Sequence, residues 1–370
     1  MSGRHLILAG LAAVTALWSC RQVVYTPRPS IPLVHAIAAD TTGQGRLAAR
    51  AGHRGAEGSI ALIGEPEEVM ALTRRFMRAD TRDNIDGRAE RDSLPDFAGE
   101  SFDAILDAFN APYTHFMEED PALDSLREAA VRNAVFAWDS TSVKSAQDPQ
   151  ARLHKTRAKI LIFTSSIQAE FGLFDVDTLQ QLCGGRSILL SPAEVLLDEA
   201  FAGGALHIGV WTSRDVKASD AWQRVFERKA PAGASLAVIA PDSALDVRTE
   251  LRGFLRQYRA TGRPLDVLIL DKYSIDLSPL QSELSMIRRA GAEEDAAFDK
   301  MLSQGFRFLE PGPAVVDATF RILRERNLFT HRIANPAVHY FQTEESEDGT
   351  PCLVEVGAAY VQRFYVSDQH

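Results

Sequence analysis

From Ser59 onward the chain alternates two patterns of apolar and polar residues. Short, nearly continuous apolar runs lie at 60–63, 102–106, 160–163, 187–190, 206–211, 236–239, 267–270 and 306–309. Such runs are what parallel strands covered on both faces require, because neither face meets water. Between them lie stretches such as "EEVMALTRRFMRA", "SLREAAVRNAVFAW", "AWQRVFERK", "DVRTELRGFLRQYRA" and "AVVDATFRILRERN", whose apolar residues recur at spacings of three and four. That spacing lays one apolar stripe along a helix. The tail "VHYFQTEESEDGTPCLVEV" predicts two strands joined across an Asp-Gly turn. The pattern predicts an α/β protein of two lobes, with parallel sheets flanked by helices.

The first lobe is expected over 58–184 with a return segment at 305–345, the second over 185–304, and a C-terminal strand extension over 346–370. Three stretches, 81–99, 141–156 and 286–302, exceed what the alternation needs and read as surface elaborations. Residues 21–57 hold Pro27, Pro29, Pro32 and several glycines without a sustained period, which reads as a flexible tether.

The first twenty residues, "MSGRHLILAGLAAVTALWSC", place Arg4 and His5 before an apolar run that closes on Ser19-Cys20. The run has the length of a signal-peptide core and is short for a membrane span. The end "LWSC" resembles a lipobox, so residues 1–20 are expected to be a lipoprotein signal. Cys20 is then the lipidated first residue of a protein held at the cell envelope, periplasmic or surface-facing. The lipid is the only membrane contact expected.

Composition narrows the partners. The 370 residues carry a net charge of -10 and are 45% hydrophobic, which suits a large core and argues against nucleic acid. Cys183 and Cys352 read either as solitary buried thiols or as a disulfide in an oxidising compartment. The histidines, His331 and His339 among them, show no metal spacing, and "DTRDNID" lacks the glycine and closing glutamate of a calcium loop. "GAEGSIALIGEP" lacks the Gly-Lys-Ser/Thr of a phosphate loop. No metal or cofactor is expected.

The candidate chemistry lies where apolar runs stop. Residues 265–274, "LDVLILDKYS", end in Asp271, Lys272, Tyr273 and Ser274. Run 102–106 leads into Asp107, Asn110, Pro112, Tyr113 and Thr114, run 160–163 into Thr164, Ser165 and Ser166, and run 206–211 into Thr212 and Ser213. Each cluster alone is what a helix cap provides. Together they can line one crevice, since ligands of open α/β sheets sit beyond the carboxyl ends of the strands.

In order and spacing these segments resemble the aspartate/glutamate racemase family, and within it the glutamate racemases, over about residues 58 to 345. "LDAFNAPYT" resembles the family's Gly-Asp-Thr-x-x-x-Pro-Tyr-Gly stretch, and "KILIFTSSIQA" stands where the family has a strand ending Ala-Cys-Asn-Thr. "LDVLILDKYSIDL" corresponds to Leu-Val-Leu-Gly-Cys-Thr-His-Tyr-Pro. The resemblance implies cofactor-independent proton transfer by two cysteines on opposite sides of an amino acid's α-carbon. Here Thr164 and Asp271 stand at those two positions. The family's Asp-Ser-Gly corresponds to Gly64-Glu65-Pro66, and its histidine to Tyr273, while Asp107 and Pro112-Tyr113 match.

Three functions follow as expectations. The first is an envelope lipoprotein that binds a small carboxylated molecule, an amino acid or cell-wall fragment, without two-thiol racemisation. The second is an isomerase, racemase or lyase with Asp271 as acid–base group and Lys272, Tyr273 or Ser165 in support. The third is a two-lobed solute-binding lipoprotein.

Overall fold

The computed structural model describes residues 28–365, apart from 54, 85, 120–122, 242–245, 290, 331 and 333. The chain opens with helices α1 (Pro32–Ala39) and α2 (Gln44–Ala49), then enters β1 (Ser59–Gly64), α3 (Pro66–Met77) and β2 (Ser101–Leu106). Helices α4 (His115–Glu119) and α5 (Asp124–Trp138) lead to a hairpin of β3 (Thr141–Ser145) and β4 (Asp148–His154). Strand β5 (Ala158–Phe163), α6 (Ser166–Cys183), β6 (Ile188–Leu190) and α7 (Pro192–Ala202) follow.

The second lobe runs through β7 (His207–Trp211), α8 (Arg214–Ala218), α9 (Ala221–Lys229), β8 (Ser235–Ile239), α10 (Val247–Arg259) and β9 (Leu265–Leu270). It closes with α11 (Leu277–Arg289), α12 (Glu293–Met301) and β10 (Leu302–Leu309). Helix α13 (Pro311–Glu325) carries the chain back to β11 (Ala337–Glu345), β12 (Pro351–Val356) and α14 (Ala358–Tyr365).

The strands form an eight-stranded sheet in the order β4-β3-β12-β11-β2-β1-β5-β6 and a four-stranded sheet in the order β10-β9-β7-β8. The smaller sheet is parallel throughout. The larger is parallel from β11 to β6, with antiparallel pairs only at β11–β12 and β3–β4. Strands β1 and β5 are buried along their whole length. One apolar core lies between the large sheet and α1, α2, α5 and α6, and another between its opposite face and α3 and α13.

Three expectations are corrected. The part of the expected tether that is described is folded: Ile31, Val34, Ile37, Ala48 and Ala51 are buried in the first core. Pro32 opens α1 at its first turn, where the missing N–H costs nothing, so a proline read as part of the tether is a helix start. The lobe boundaries also move. Strand β6 pairs with β5 and belongs to the large sheet, whereas β10 pairs with β9 and belongs to the small one. The C-terminal extension is a strand followed by helix α14, whose Val361 is buried. Cys20 and the signal segment lie outside the described residues, and no helix among those described is long and apolar enough to cross a membrane.

The long stretches are pinned to the body. Residues 141–156 widen the large sheet as the β3–β4 hairpin. In 81–99, Asp96 accepts the backbone N–H groups of Thr81 and Arg82, and Phe97 is buried among Phe76, Phe102 and Phe320. In 286–302, Asp295 on α12 pairs with Arg252 at 2.8 Å.

Candidate functional site

The carboxyl ends of β5 and β9, one from each sheet, meet. Ser166 Oγ donates to Asp271 Oδ2 at 3.1 Å, and the Tyr273 hydroxyl donates to the Thr164 carbonyl at 2.9 Å. The ladders run one residue past the strands to place these groups: Thr164 N–H bonds to Ile63 O, and Asp271 N–H to Trp211 O. A cleft between two parallel sheets is where such folds bind ligands, because helices begin there and their N-termini favour negative charge. Helices α3 and α6 both start at this edge.

Asp271 is the most heavily bonded side chain at the junction. Its Oδ2 accepts from Thr212 Oγ1 at 2.7 Å, Trp222 Nε1 at 2.8 Å and Ser166 Oγ. Burial raises its pKa, while the three donors and the Lys272 charge oppose the rise. The residue is half-buried at this junction.

Across from it stands Glu68, in the first turn of α3, whose Oε2 accepts from Thr164 Oγ1 at 2.9 Å. Burial, reinforced by the Glu65 and Asp271 charges, pushes its pKa up to about 8. Glu65 caps the same helix, accepts from Tyr113 N–H at 2.8 Å, and is also raised by burial. Gly64 permits this arrangement: a Cβ there would lie 2.0 Å from Thr164 Oγ1.

The structure therefore gathers Thr164, Ser166, Thr212, Asp271 and Tyr273 directly. Ser165 caps α6 by accepting from Gln168 N–H at 3.4 Å. Lys272 is half-buried with its ammonium 5.8 Å from the Trp211 ring centroid. Ser213 is exposed and caps α8 by accepting from Val216 N–H at 3.2 Å.

Asp107 and Tyr113 have a different role from the ligand contacts expected of them. Asp107 is wholly buried and accepts from Asn110, Tyr113, Asn133 and Thr343 at 2.8, 2.8, 2.6 and 2.8 Å. Four donors leave that carboxylate nothing for a ligand. It ties the end of β2 to α5 and β11, with Tyr113 buried against it and the exposed Pro112 in a cis peptide.

No thiol of the described residues reaches the junction. Cys183 ends α6, about 25 Å of helical rise from Ser166, and Cys352 is on β12, across three intervening strands from β5.

The sequence placed Glu65 only through its family correspondence and did not single out Glu68 or Trp222. Acids in the first turn of a helix are ordinary, as is a tryptophan in an amphipathic one, so neither pattern distinguishes them. The available signal was position: "GEPEE" directly follows a fully buried strand.

No family model matches the chain, and no curated protein is similar to it in sequence. Among solved structures it is similar to glutamate racemase isoform RacE1 of Bacillus anthracis, with 15% identity, TM-score 0.48, and coverage of 78% of this chain and 90% of that one. It is also similar to the glutamate racemase of Francisella tularensis, solved with D-glutamate, at 11% identity and TM-score 0.48 over 85% and 96% of the two chains. The glutamate racemase of Campylobacter jejuni matches at 12% identity and TM-score 0.45 over 84% and 100%.

Proposed function

We propose that the cleft between the two sheets binds a small carboxylated molecule, of the size of an amino acid or a cell-wall fragment, without thiol chemistry. The observation that carries this reading is the meeting of the β5 and β9 ends around Glu68, Thr164, Ser166, Thr212 and Asp271. Such an edge suits an anion when its own carboxyls do not repel it. Glu68 keeps its proton up to about pH 8, so at neutral pH it donates a hydrogen bond where an ionised carboxylate would repel. Lys272 and the N-terminus of α6 add positive potential at the same edge.

The same proposal places the protein at the cell envelope, attached by lipid at Cys20. Its support is the charged start, apolar core and "LWSC" end of the first twenty residues. The folded body begins by Arg28, so residues 21–27 span at most about 25 Å between the anchor and the domain.

The solute-binding alternative gains nothing from the topology. The chain passes from the large sheet to the small one through α7 and returns through α13, so two segments join the lobes.

The test is thermal unfolding of the purified protein with D- and L-glutamate, D- and L-aspartate, dicarboxylic acids and muropeptides. A ligand at one hundred times its Kd adds about 2.7 kcal/mol to stability, a readily measured rise in Tm. A saturable rise that Thr212→Val weakens supports the reading. If nothing in the panel moves Tm, carboxylate binding in this cleft is wrong.

A further inference from the structure

We propose that the free edge of β8 is the docking surface for a second copy of this chain, the two β8 strands pairing antiparallel about a two-fold axis at Ala237. The inference is independent of the binding reading above.

The two sheets end on the edge strands β4, β6, β8 and β10, and all but β8 are blunted. Strand β6 has only three residues. Strand β4 includes Asp148, Pro149 and Arg152, and its pairing with β3 shifts register between Val143 and Ser145. Strand β10 carries Arg307, and its pairing with β9 shifts between Leu302 and Arg307. Short length, charge, proline and irregularity are the usual protections against edge-to-edge pairing. Strand β8, "SLAVI", has none of them: it is five residues long, uncharged, and paired to β7 without a register shift. Leu236, Ala237 and Val238 are half-buried, whereas Ile208, Gly209 and Val210 beside them on β7 are buried.

The backbone fixes the register of the pairing. Ser235 N–H donates to Leu206 O, and Ile239 O accepts from Thr212 N–H, so Ser235, Ala237 and Ile239 direct their peptide groups at β7. Peptide groups alternate sides along a strand, so those of Leu236 and Val238 point away from the sheet, where no further strand follows. An antiparallel copy centred on Ala237 sets Leu236 against Val238 of the second copy, and Val238 against its Leu236. Both residues of each pair point outward, so each pair exchanges both of its backbone hydrogen bonds.

A hollow beside the edge receives the side chains. Val216, Lys217, Asp220, Trp222, Gln223 and Val238 line a cavity of about 230 Å³ on the α9 face of β8. Directly opposed residues of paired strands put their side chains on one face. Leu236 of the second copy, opposite Val238, is therefore directed to this hollow, and the axis repeats the contact. The charges agree with such an axis. Strand β8 brings none to meet its own copy, and α9 runs against the strand. The exposed Lys217, at the carboxyl edge of one copy, is thus brought toward the exposed Glu227, at the amino edge of the other.

The experiment is sedimentation velocity of the purified protein over a concentration series, for the wild type, Leu236→Lys and Ala237→Cys, with circular dichroism of each and hydrogen exchange of the wild type. The wild type should pass from monomer to dimer as concentration rises, with the Leu236 and Val238 amides protected only in the dimer. Leu236→Lys puts a charge into the seam twice over, so the dimer Kd should rise at least about tenfold while the monomer stays folded. Opposed residues of a non-hydrogen-bonded antiparallel pair have Cα atoms about 4.5 Å apart, within disulfide reach. Ala237→Cys should therefore give a disulfide-linked dimer on mild oxidation, which the wild type with Cys183 and Cys352 does not form.

A monomer at every concentration overturns the proposal. So does a dimer that folded Leu236→Lys leaves as tight, or one that Ala237→Cys does not cross-link, since the copies then meet elsewhere. Should Leu236→Lys fail to fold, the cross-link decides alone. Protection of the Leu236 and Val238 amides in the monomer would assign the edge to another segment of this chain and overturn the second copy as its occupant.

Discussion

Thr164 gives its hydroxyl hydrogen to Glu68, and the backbone of Gly64 lies so close to that hydroxyl that only a residue without a side chain fits. The contact joins the ends of β1 and β5 to the first turn of α3. It is the only hydrogen bond from a side chain of the described residues to the Glu68 carboxyl, and it holds the group in the cleft. A methyl group at position 64 would sit 2.0 Å from Thr164 Oγ1, so the threonine must rotate away and release Glu68. Gly64→Ala is therefore expected to weaken ligand binding, and also to lower the unliganded Tm, because Gly64 has φ +157°. The check is to compare ligand-induced Tm shifts with the unliganded Tm. A Gly64→Ala protein with normal ligand shifts would remove this contact from the site.

The same carboxyl makes stability depend on pH. Folding raises the Glu68 pKa from 4.5 to about 8, so between those values the folded state holds a proton that the unfolded state has released. Stability falls wherever the folded state binds more protons, so this contribution is full below pH 4.5 and is lost progressively up to about pH 8. Glu68→Gln removes the titration. The wild type is expected to lose more Tm than Glu68→Gln between pH 6 and pH 9. Parallel Tm-against-pH curves would show that Glu68 titrates normally.

What the sequence disclosed and what it hid have separate physical causes. Apolar runs fix strands well, and each of the eight predicted runs lies in a strand or overlaps one by most of its length. The period of a strand does not name its sheet, however. "SILL" and "FRFL" read alike, and only pairing with β5 and with β9 assigns them to opposite lobes. The polar ends were legible for Asp271, Thr164, Ser166 and Thr212, because each follows a buried run. Asp107 follows one too and is a buried tie. A strand end shows that a side chain leaves the sheet and does not show whether water or protein receives it.

Asp107 tests that distinction. Its four donors come from the loop after β2, from α5 and from β11, so Asp107→Ala leaves Asn133, Thr343 and the Tyr113 hydroxyl buried without an acceptor. Each such group costs about 1–3 kcal/mol, and the expected loss is several kcal/mol of stability. Asp107→Asn, which keeps an acceptor oxygen, should lose less. Chemical denaturation separates the two. A stable Asp107→Ala protein that fails only to bind ligand would return this residue to the site.

Trp222 makes a smaller and more specific contribution. Its indole N–H is one of three donors on Asp271 Oδ2, and the ring is otherwise buried among apolar side chains of the second lobe. Trp222→Phe removes the donor and keeps much of the packing. Hydrogen bonds to charged groups contribute about 1.5–3 kcal/mol, and losing one also raises the Asp271 pKa further, because burial is then less opposed. The acid limb of any pH-dependent activity or binding should move to higher pH in this variant. An unmoved acid limb would mean that Asp271 does not govern it.

The last prediction concerns what holds the two lobes at the spacing the cleft needs. Glu170 on α6 makes a two-pronged pair with Arg228 on α9, at 2.8 and 2.6 Å, so the contact runs from the large sheet's helix to the small sheet's. Glu194 on α7 lies 3.5 Å from the same guanidinium, and both glutamates are largely buried. Removing one partner of a buried pair costs about 3–5 kcal/mol, since a charge is left without compensation, whereas replacing both partners with well-packed neutral groups is often close to neutral. Arg228→Met is thus expected to destabilise strongly and to leave two acids facing each other between the lobes. Adding Glu170→Gln to Arg228→Met should recover part of the loss, because one of those acids is then neutral. A urea-denaturation cycle over the single and double variants measures the coupling. Additive losses would show that Glu170 and Arg228 do not act as a unit.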